Sequence, residues 1–320
     1  MIEIKRYTPE DAAEWNDLVW KSRQGTFLFD RNYMDYHQDR FHDHSLMFFY
    51  KKKLYAILPA NEVIEKKKTL YSHQGLTYGG LLTCPKVTAE VCIDIIESLR
   101  DYLKENDFQS CIYKAMPWIY QRIPSEEDLY ALTYVAHAKL MAREISTTIP
   151  LNAPLRFSEL RRRGIKKAVR HGLSIKFTQL PDDITAFWDL LNENLQQRHH
   201  THPVHSKEEL ELLMHRFPDN ILCFVVEKDD AIIGGSILYV TPQVIHTQYI
   251  AATELGKELG ALDALFDHLI HKCRWNAPYF DFGKSTEDEG IFLNRNLIHQ
   301  KEGFGGRGVI YDTYEWDLQH

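Results

Sequence analysis

The chain has 320 residues, of which 44% are apolar, and its 38 basic and 45 acidic side chains leave a formal net charge of −7. This length can bury a large core and is typical of two domains, whereas the acidic balance argues against a dedicated nucleic-acid-binding protein. The five cysteines include no CxxC pair, so we predict neither a disulfide framework nor a metal site. We find no secretory leader and no apolar run long enough to cross a membrane, and therefore expect a cytoplasmic protein without a membrane span.

Helix and strand patterns alternate in the first half of the chain. Thr8, Pro9 and Asp11 form a helix-start signature, because a hydroxyl cap, a proline at the first helical position and an acid in the first turn each stabilise a helix N-terminus. Periodicity and turn residues then predict a hairpin, a short strand, a glycine-bearing loop, a helix and a strand at 46–59, 69–73, 75–80, 91–103 and 110–114. We interpret His42-Asp43-His44 as a surface turn.

The second half repeats this order of elements. The patterns predict a hairpin, a third strand, a glycine-bearing loop, a helix and a strand at 221–240, 244–250, 253–260, 261–273 and 280–283. The repeat is one of pattern and not of residues, and it indicates two copies of one αβ domain. Pro150 and Pro154 bracket a short extended stretch between the copies, so we predict domains at 1–150 and 151–320.

Two glycine pairs in the second half suggest binding. Gly234-Gly235 lies within a predicted strand, where glycines mark a bulge, and N–H groups exposed at such a bend could hold a carbonyl oxygen. Gly256 and Gly260 stand before a helix N-terminus, which is a natural phosphate site. The alternative for this second pair is a connector that binds nothing.

Residues 156–172 carry seven Lys and Arg side chains against one Glu, the strongest charge asymmetry in the chain. Such a segment can contact the phosphates of a nucleotide cofactor or of an RNA. The alternative is a solvated basic helix packed on Leu160, Ile165 and Val169. The histidines of 199–205 have no cysteine companions and surround a proline, so we interpret them as a loop and not as a metal site.

The last segment carries the most specific motif. An aromatic strand ends in Asp281-Phe282-Gly283, and Lys301-Glu302-Gly303-Phe304-Gly305 follows. Both tracts resemble the C-terminal signature of the Fem-type peptidoglycan-bridge transferases and their FemAB-like relatives. With the Arg-rich segment and the two-domain order, the resemblance covers most of the chain.

This resemblance implies an α/β (mixed α+β) fold of two tandem GNAT-like lobes, each a twisted mixed sheet flanked by helices. It also implies transfer of an acyl or aminoacyl group to an amine. We therefore predict an N-acyltransferase that uses acyl-CoA, such as acetyl-CoA, and acts on a small-molecule, sugar-linked or peptide-linked amine. The alternatives are a tRNA-dependent aminoacyl transferase, with tRNA contacting Arg161–Arg163, and a non-catalytic binding protein that keeps the fold. The predicted CoA-binding residues surround the second glycine pair: Leu255, Gly256, Lys257, Gly260 and Ala261.

An amine acceptor must lose a proton before or during its attack on the acyl carbonyl, so a base is needed beside the cleft. His246, on the third strand of the second lobe, and Asp281, at the end of the next strand, are the candidates for this catalytic role. The residues predicted to orient the acceptor are His73, Gln74, Tyr78, Gln248, Lys284, Ser285 and Asn294.

Overall fold

A computed structural model describes residues 2–63, 68–199 and 201–319, with the side chains of residues 198 and 199 excepted. The internal contacts divide the chain into two units. The first unit comprises Met1–Ile145, Thr286–Phe292 and Ile310–His320, and the second comprises Ser146–Ser285 and Leu293–Val309. The first unit therefore includes two segments from the C-terminal half of the chain, 286–292 and 310–320, whereas a division at residue 150 places both in the second domain.

The first unit has a mixed α/β architecture. Its helices are α1 (Ala12–Lys21), α2 (Arg31–Met34), α3 (Ala89–Glu105) and α4 (Glu127–Tyr134). Its strands are β1 (Ile2–Arg6), β2 (His42–Asp43), β3 (Leu46–Tyr50), β4 (Lys53–Leu58), β5 (Asn61–Val63), β6 (Thr69–Tyr71), β7 (Leu82–Thr83) and β8 (Ser110–Lys114). Strands β6 and β8 are parallel, and α3, which lies between them in sequence, buries Ile95, Leu99 and Leu103 in the core.

The N-terminus of the first unit folds as the sequence predicts. Thr8 and Asp11 form a reciprocal capping box around a 3₁₀ turn, which leads directly into α1. The interpretation of His42-Asp43-His44 as a surface turn was wrong, because residues 42 and 43 form β2 and His44 is buried. Asp43 accepts hydrogen bonds from the Arg31 side chain and the Ser45 amide, and these contacts hold the segment against the unit.

The chain enters the second unit within β9 (Lys139–Pro150). The helices that follow are α5 (Glu159–Arg170), α6 (Pro181–His199), α7 (Lys207–Arg216), α8 (Glu254–Leu259), α9 (Ala261–Asp267) and α10 (Arg295–Glu302). The strands that follow in the chain are β10 (Ser174–Thr178), β11 (Ile221–Lys228), β12 (Ala231–Val240), β13 (Val244–Ala252), β14 (Tyr279–Lys284), β15 (Thr286–Glu287), β16 (Phe292–Leu293) and β17 (Arg307–Asp317). Of these, β15 belongs to the first unit, and β16 and β17 have residues in both units. Of the predicted histidine cluster, His200 lies outside the described residues.

The sheet of the second unit has the strand order β10-β11-β12-β13-β14, and the end of β9 pairs with β14. Neighbouring strands are antiparallel except for β13 and β14, which are parallel and are joined through α8 and α9. One face of this sheet packs Phe280 and Phe282 against Phe266 of α9. The predicted mixed α/β fold is confirmed.

Strands β13 and β14 part in the middle of the sheet. Their pairing runs from Val244 opposite Tyr279 to His246 opposite Asp281 and stops there, although β13 continues to Ala252. A register shift between β12 and β13 leaves an extra residue in β13 close to this point. Such a bulge increases local twist and bends a strand away from its neighbour. The outcome is an opening between the C-terminal ends of two parallel strands, a common place for ligands.

Gly234 and Gly235 lie inside the sheet and not at an open edge. They pair with Val226 and Val225 on one side and with Ala252 and Ala251 on the other. A side chain at Gly235 would meet the Phe224 carbonyl oxygen at 2.6 Å and the Phe187 ring at 2.8 Å. The glycine pair therefore admits close packing of α6 on the strand, and this geometry does not support its predicted role as a carbonyl-binding bend.

The prediction of a glycine-bearing loop at 253–260 was also wrong, because most of this segment is helical. Residues 254–259 form the short helix α8, capped by the Thr253 hydroxyl, which accepts a hydrogen bond from the Gly256 amide at 2.9 Å. Gly260 ends this helix in a left-handed conformation with φ of 81°. A β-carbon there would lie 2.5 Å from the carbonyl oxygen of Gly164 on α5, so the glycine allows α5 to pack against this junction.

Candidate active site

The opening between β13 and β14 leads into a cavity of about 360 Å³, within the range of ligand pockets in proteins. Its walls are mostly apolar, and four of its side chains carry an amide or an ammonium group. The lining residues are Leu191, Asn194, Leu195, Ile250, Ala251, Ala252, Lys257, Leu262, Phe266, Phe282, Leu297, Gln300, Lys301 and Phe304. The cavity therefore suits a largely apolar ligand with a small number of polar atoms.

His246 and Asp281 meet where the two strands separate. The Nδ1 atom of His246 lies 2.8 Å from Oδ2 of Asp281, and the aspartate side chain is completely buried. Asp281 also accepts hydrogen bonds from the hydroxyls of Ser146 at 2.5 Å and Thr148 at 2.7 Å and from the Gly283 amide at 3.2 Å. The two predicted catalytic residues are thus brought together, and two β9 residues that the sequence reasoning missed complete the group.

The hydrogen bonds keep Asp281 ionised despite its burial. Burial on its own raises the pKa of a carboxyl group. The hydrogen bond and the positive charge of His246, together with the hydrogen bonds from the Ser146 and Thr148 hydroxyls, have the opposite effect and are stronger, so the pKa of Asp281 lies below its ordinary value. A carboxylate can only accept, so the proton shared with His246 belongs to Nδ1. The Nε2 atom is then the basic nitrogen, and it has no hydrogen-bond partner in the part of the chain that the structure describes.

Lys301 of α10 brings a buried ammonium group to the cavity. Its Nζ atom donates to the carbonyl oxygens of Gly283 at 2.8 Å and Lys284 at 2.7 Å. Burial lowers the pKa of Lys301 from 10.5 to about 8, and the negative charge of Asp281 limits the fall. An ammonium group has three donors, and within the described residues only these two are used. The third is available to a ligand in the cavity, which Lys301 lines.

Gly283 connects the lysine to the histidine. It adopts φ of 75°, and a β-carbon at this position would stand 3.1 Å from Cε1 of His246. Its amide donates to Asp281 and its carbonyl oxygen accepts from Lys301. A residue without a side chain is therefore needed here for both conformational and steric reasons.

Of the predicted CoA-binding residues, Lys257 alone lines the cavity. Its Nζ atom also lies 2.7 Å from the Glu254 carboxylate. Gly256 cannot carry a side chain, because a β-carbon would lie 2.1 Å from the Ile233 carbonyl oxygen. Leu255 is half-exposed on α8, and Ala261 is buried at the start of α9.

The acceptor residues predicted in the second unit lie near the parting strands. Gln248 is the extra residue of the β13 bulge, and Lys284 ends β14 with its carbonyl bound to Lys301. Ser285 is buried, and its hydroxyl has no partner among the described residues. Asn294 caps α10 by accepting from the Leu297 amide, a structural task that the sequence reasoning did not assign to it.

The three acceptor residues predicted in the first unit are placed differently. His73 is buried with φ of 64°, and burial lowers its pKa to about 3. Tyr78 is buried and its hydroxyl lies 3.2 Å from that of Thr26. Gln74 is exposed and exchanges hydrogen bonds with Asn61. Their acceptor-binding role stays a prediction.

The basic segment forms helix α5, and two of the three arginines assigned to tRNA are engaged within the protein. Arg161 pairs with Asp263 at 2.7 Å and lies over the Phe304 ring, and Arg162 pairs with Glu159 at 2.5 Å. Of these three arginines, Arg163 alone is exposed and makes no ion pair with a described residue. Leu160 and Val169, which were expected to be packing positions in the alternative interpretation, are exposed, and Ala168 is the buried contact.

Residues 157–289 match the family model described as an acetyltransferase (GNAT) domain. No curated protein matches the sequence. In the described part of the chain, no helix has the length and hydropathy required to cross a membrane, and no cluster of three or more His, Cys, Asp or Glu side chains is placed to hold a metal ion.

Several solved structures are similar to the whole chain. The crystal structure of FemX aligns over 98% of this chain and 97% of its own, with 9% identity and a TM-score of 0.71. L-PGS from Bacillus licheniformis aligns over 96% and 91%, with 12% identity and a TM-score of 0.59. The C-terminal domain of a putative lysylphosphatidylglycerol synthetase from Agrobacterium fabrum aligns over 96% and 92%, with 12% identity and a TM-score of 0.57. At these identities the likeness is one of fold. Residues 157–289 therefore form a GNAT-type acetyltransferase domain, and the chain as a whole shares the fold of FemX.

Proposed function

We propose that this acyltransferase moves an acyl group from acyl-CoA to the amine of a small, sugar-linked or peptide-linked acceptor, with His246 as the general base. The observation that carries the proposal is the 2.8 Å contact between His246 Nδ1 and the buried, ionised Asp281 at the point where β13 and β14 part. An imidazole oriented by a carboxylate is a recurrent arrangement for accepting a proton from a nucleophile.

The roles of the two residues follow from their hydrogen bonds. Asp281 holds the imidazole with its proton on Nδ1, so Nε2 accepts a proton from the incoming amine. The carboxylate then stabilises the imidazolium that forms. The amine nitrogen bonds to the acyl carbon, the carbon–sulfur bond of the thioester breaks, and the CoA sulfur leaves with a proton that the imidazolium or water supplies.

Lys301 is suited to the carbonyl oxygen of the donor. Negative charge develops on this oxygen when the amine attacks, and a fixed donor in a water-poor site stabilises it. Two of the lysine hydrogens are held by the carbonyls of Gly283 and Lys284, which fix the ammonium group in place. The remaining hydrogen is free to bind the donor's carbonyl oxygen. A lysine on the surface, whose ammonium group rotates freely, would not have a hydrogen held in one direction.

The parted strands are suited to a long, thin carrier. The segment Ile250–Ala252 of β13 has no partner in β14, and leucine and phenylalanine side chains surround it. An extended chain with amide groups and methylene units can bind beside such a strand end through both backbone hydrogen bonds and apolar contact. The pantetheine arm of CoA has this composition.

A second donor, aminoacyl-tRNA, is favoured by one observation. Helix α8 replaces the predicted phosphate loop. The Gly256 amide already donates a hydrogen bond to the Thr253 hydroxyl, and Gly260 packs against Gly164. These glycines therefore offer no loop for a pyrophosphate, and a donor carried by tRNA would not need one at this position.

Calorimetry with CoA and acetyl-CoA tests the choice. We expect saturable binding that Leu297→Trp weakens, because Leu297 lines the cavity and its partly exposed position tolerates a larger ring. Leu212→Trp is the matched control, since Leu212 is similarly exposed in the same unit and lies outside the cavity. No binding of either ligand, together with transfer from charged tRNA, supports the second donor. Absence of transfer with both donors supports a binding protein.

A further inference from the structure

Helix α5 presents a basic face to solvent. We define this face by its five side chains, Arg156 in the segment before the helix and Arg163, Lys166, Lys167 and Arg170 on it. All are exposed except Lys167, which is half-buried. Within the described residues, none of the five makes a hydrogen bond or an ion pair, in contrast to Arg161 and Arg162. Five unneutralised positive charges thus stand together on a protein whose net charge is −7.

The opposite side of the helix anchors this face. Ala168 is buried, and Arg161 reaches across to Asp263 of α9. A β-carbon at Gly164 would lie 1.8 Å from Oδ2 of Asp263, so α5 and α9 are in close contact. Because one side is pinned in this way, the four basic side chains on the helix share a single outward direction. The arrangement is that of a preformed surface and not of a flexible tail.

Exposed apolar side chains flank the basic face. Leu155 is 45% exposed, Leu160 55% and Val169 70%. Phosphates of a nucleic acid would gain nothing from these groups, whereas a lipid surface accepts apolar side chains at the level of its headgroups. A basic helix with apolar flanks is accordingly typical of a membrane-surface contact.

We propose that α5 docks the protein on an anionic phospholipid membrane, with the basic face on the lipid phosphates and the flanking apolar side chains at the headgroup boundary. The helix has 12 residues and spans about 18 Å, so its axis lies along the surface and no segment needs to cross the bilayer. Each Lys or Arg near an anionic surface adds roughly a factor of five in affinity, and salt weakens the attraction.

Co-sedimentation with lipid vesicles tests this docking surface. One vesicle contains equal parts of phosphatidylglycerol and phosphatidylcholine, and the other contains phosphatidylcholine only. We expect salt-sensitive binding to the first. The variant R163Q/K166Q/R170Q should bind on the order of 100-fold more weakly. The control variant K51Q/K52Q/K53Q removes the same charge from an exposed turn of the first unit and from the first residue of β4, and it should bind normally.

The apolar flanks separate a membrane from a nucleic acid. L160S/V169S should weaken vesicle binding and leave the weak attraction to tRNA unchanged. Tight tRNA binding that the basic-face variant abolishes, with no binding to anionic vesicles, would overturn the proposal in favour of nucleic acid. Equal binding by the basic-face and control variants would overturn it as well. Circular dichroism melts of all variants exclude loss of fold, and because no readout uses acyl transfer, the result is independent of the proposed function.

Discussion

Asp281→Asn is the substitution that tests the proposed proton chemistry most sharply. The carboxylate accepts hydrogen bonds from His246, Ser146, Thr148 and the Gly283 amide. An asparagine keeps the shape but has one acceptor oxygen and an NH₂ group that can only donate. The oxygen can retain the two hydroxyls, which leaves the NH₂ group facing Nδ1. The imidazole must then accept at Nδ1 and carry its proton on Nε2, the nitrogen that should be free.

The expected loss follows from this change of tautomer. A positioned general base contributes roughly 10²- to 10⁴-fold to a rate. We therefore expect kcat/KM for the acyl acceptor to fall about 10³-fold, equivalent to about 4 kcal/mol of transition-state stabilisation. Donor binding should be nearly unchanged, because the cavity wall does not include this residue.

The assay follows release of the CoA thiol at saturating donor over a range of acceptor concentrations. Asp267→Asn is the matched control, since Asp267 also lies beside a histidine, with its Oδ1 3.3 Å from Nδ1 of His271, but near the surface of the same unit. It should retain near-normal activity. If Asp281→Asn retained a rate within a few-fold of the unaltered enzyme, His246 would not be acting as a base that this carboxylate orients.

Three further predictions concern the same site. Burial lowers the pKa of Lys301 from 10.5 to about 8, so between pH 8 and pH 10.5 the unfolded chain binds more protons than the folded protein. The free energy of unfolding should therefore rise with pH over this range, by on the order of 3 kcal/mol. Urea denaturation should show this rise flattened in Lys301→Met, and transfer should decline above pH 8 as the ammonium is lost. Gly283→Ala should lower the free energy of unfolding by about 1–2 kcal/mol and also reduce activity. Gly172→Ala is the control, because Gly172 has a similar φ but no neighbour within 4 Å, and it should lower stability only. Equal losses of melting temperature and of transfer rate in both variants would contradict this prediction. Thr148→Val should cost about 1–3 kcal/mol and slow transfer, while Thr147→Val, which removes a buried hydroxyl without a partner, should be neutral or stabilising in the same measurements.

Local patterns predicted the two long hairpins and the strands that follow them. The hairpin at 221–240 appeared within one residue of its predicted bounds, because a continuous apolar run and an acidic turn are both local signals. At α8 the local signals conflicted. Its residues Glu254, Leu255, Lys257 and Glu258 are good helix formers, and Thr253 is a good cap, but the two glycines favoured a loop. The structure follows the helix propensity, and the glycines serve packing.

The site was only partly predictable, because its geometry depends on pairing between distant strands. His246 and Asp281 each stood out as polar residues in apolar strands, but their contact depends on a parallel register that spans 35 residues of chain. Ser146 and Thr148 lie more than 130 positions before Asp281, and only the antiparallel pairing of β9 with β14 brings them there. Lys301 was visible within a motif, but its burial beside Gly283 was not.

The protonation state of the His246 ring tests the central claim most directly. Nitrogen-15 spectra of the imidazole rings, with the His246 signals assigned by their loss in His246→Gln, distinguish a protonated from an unprotonated ring nitrogen. A neutral ring with its hydrogen on Nδ1, which shifts to Nε2 in Asp281→Asn, is the predicted result. A hydrogen on Nε2 in the unaltered protein would contradict the assignment of His246 as the base.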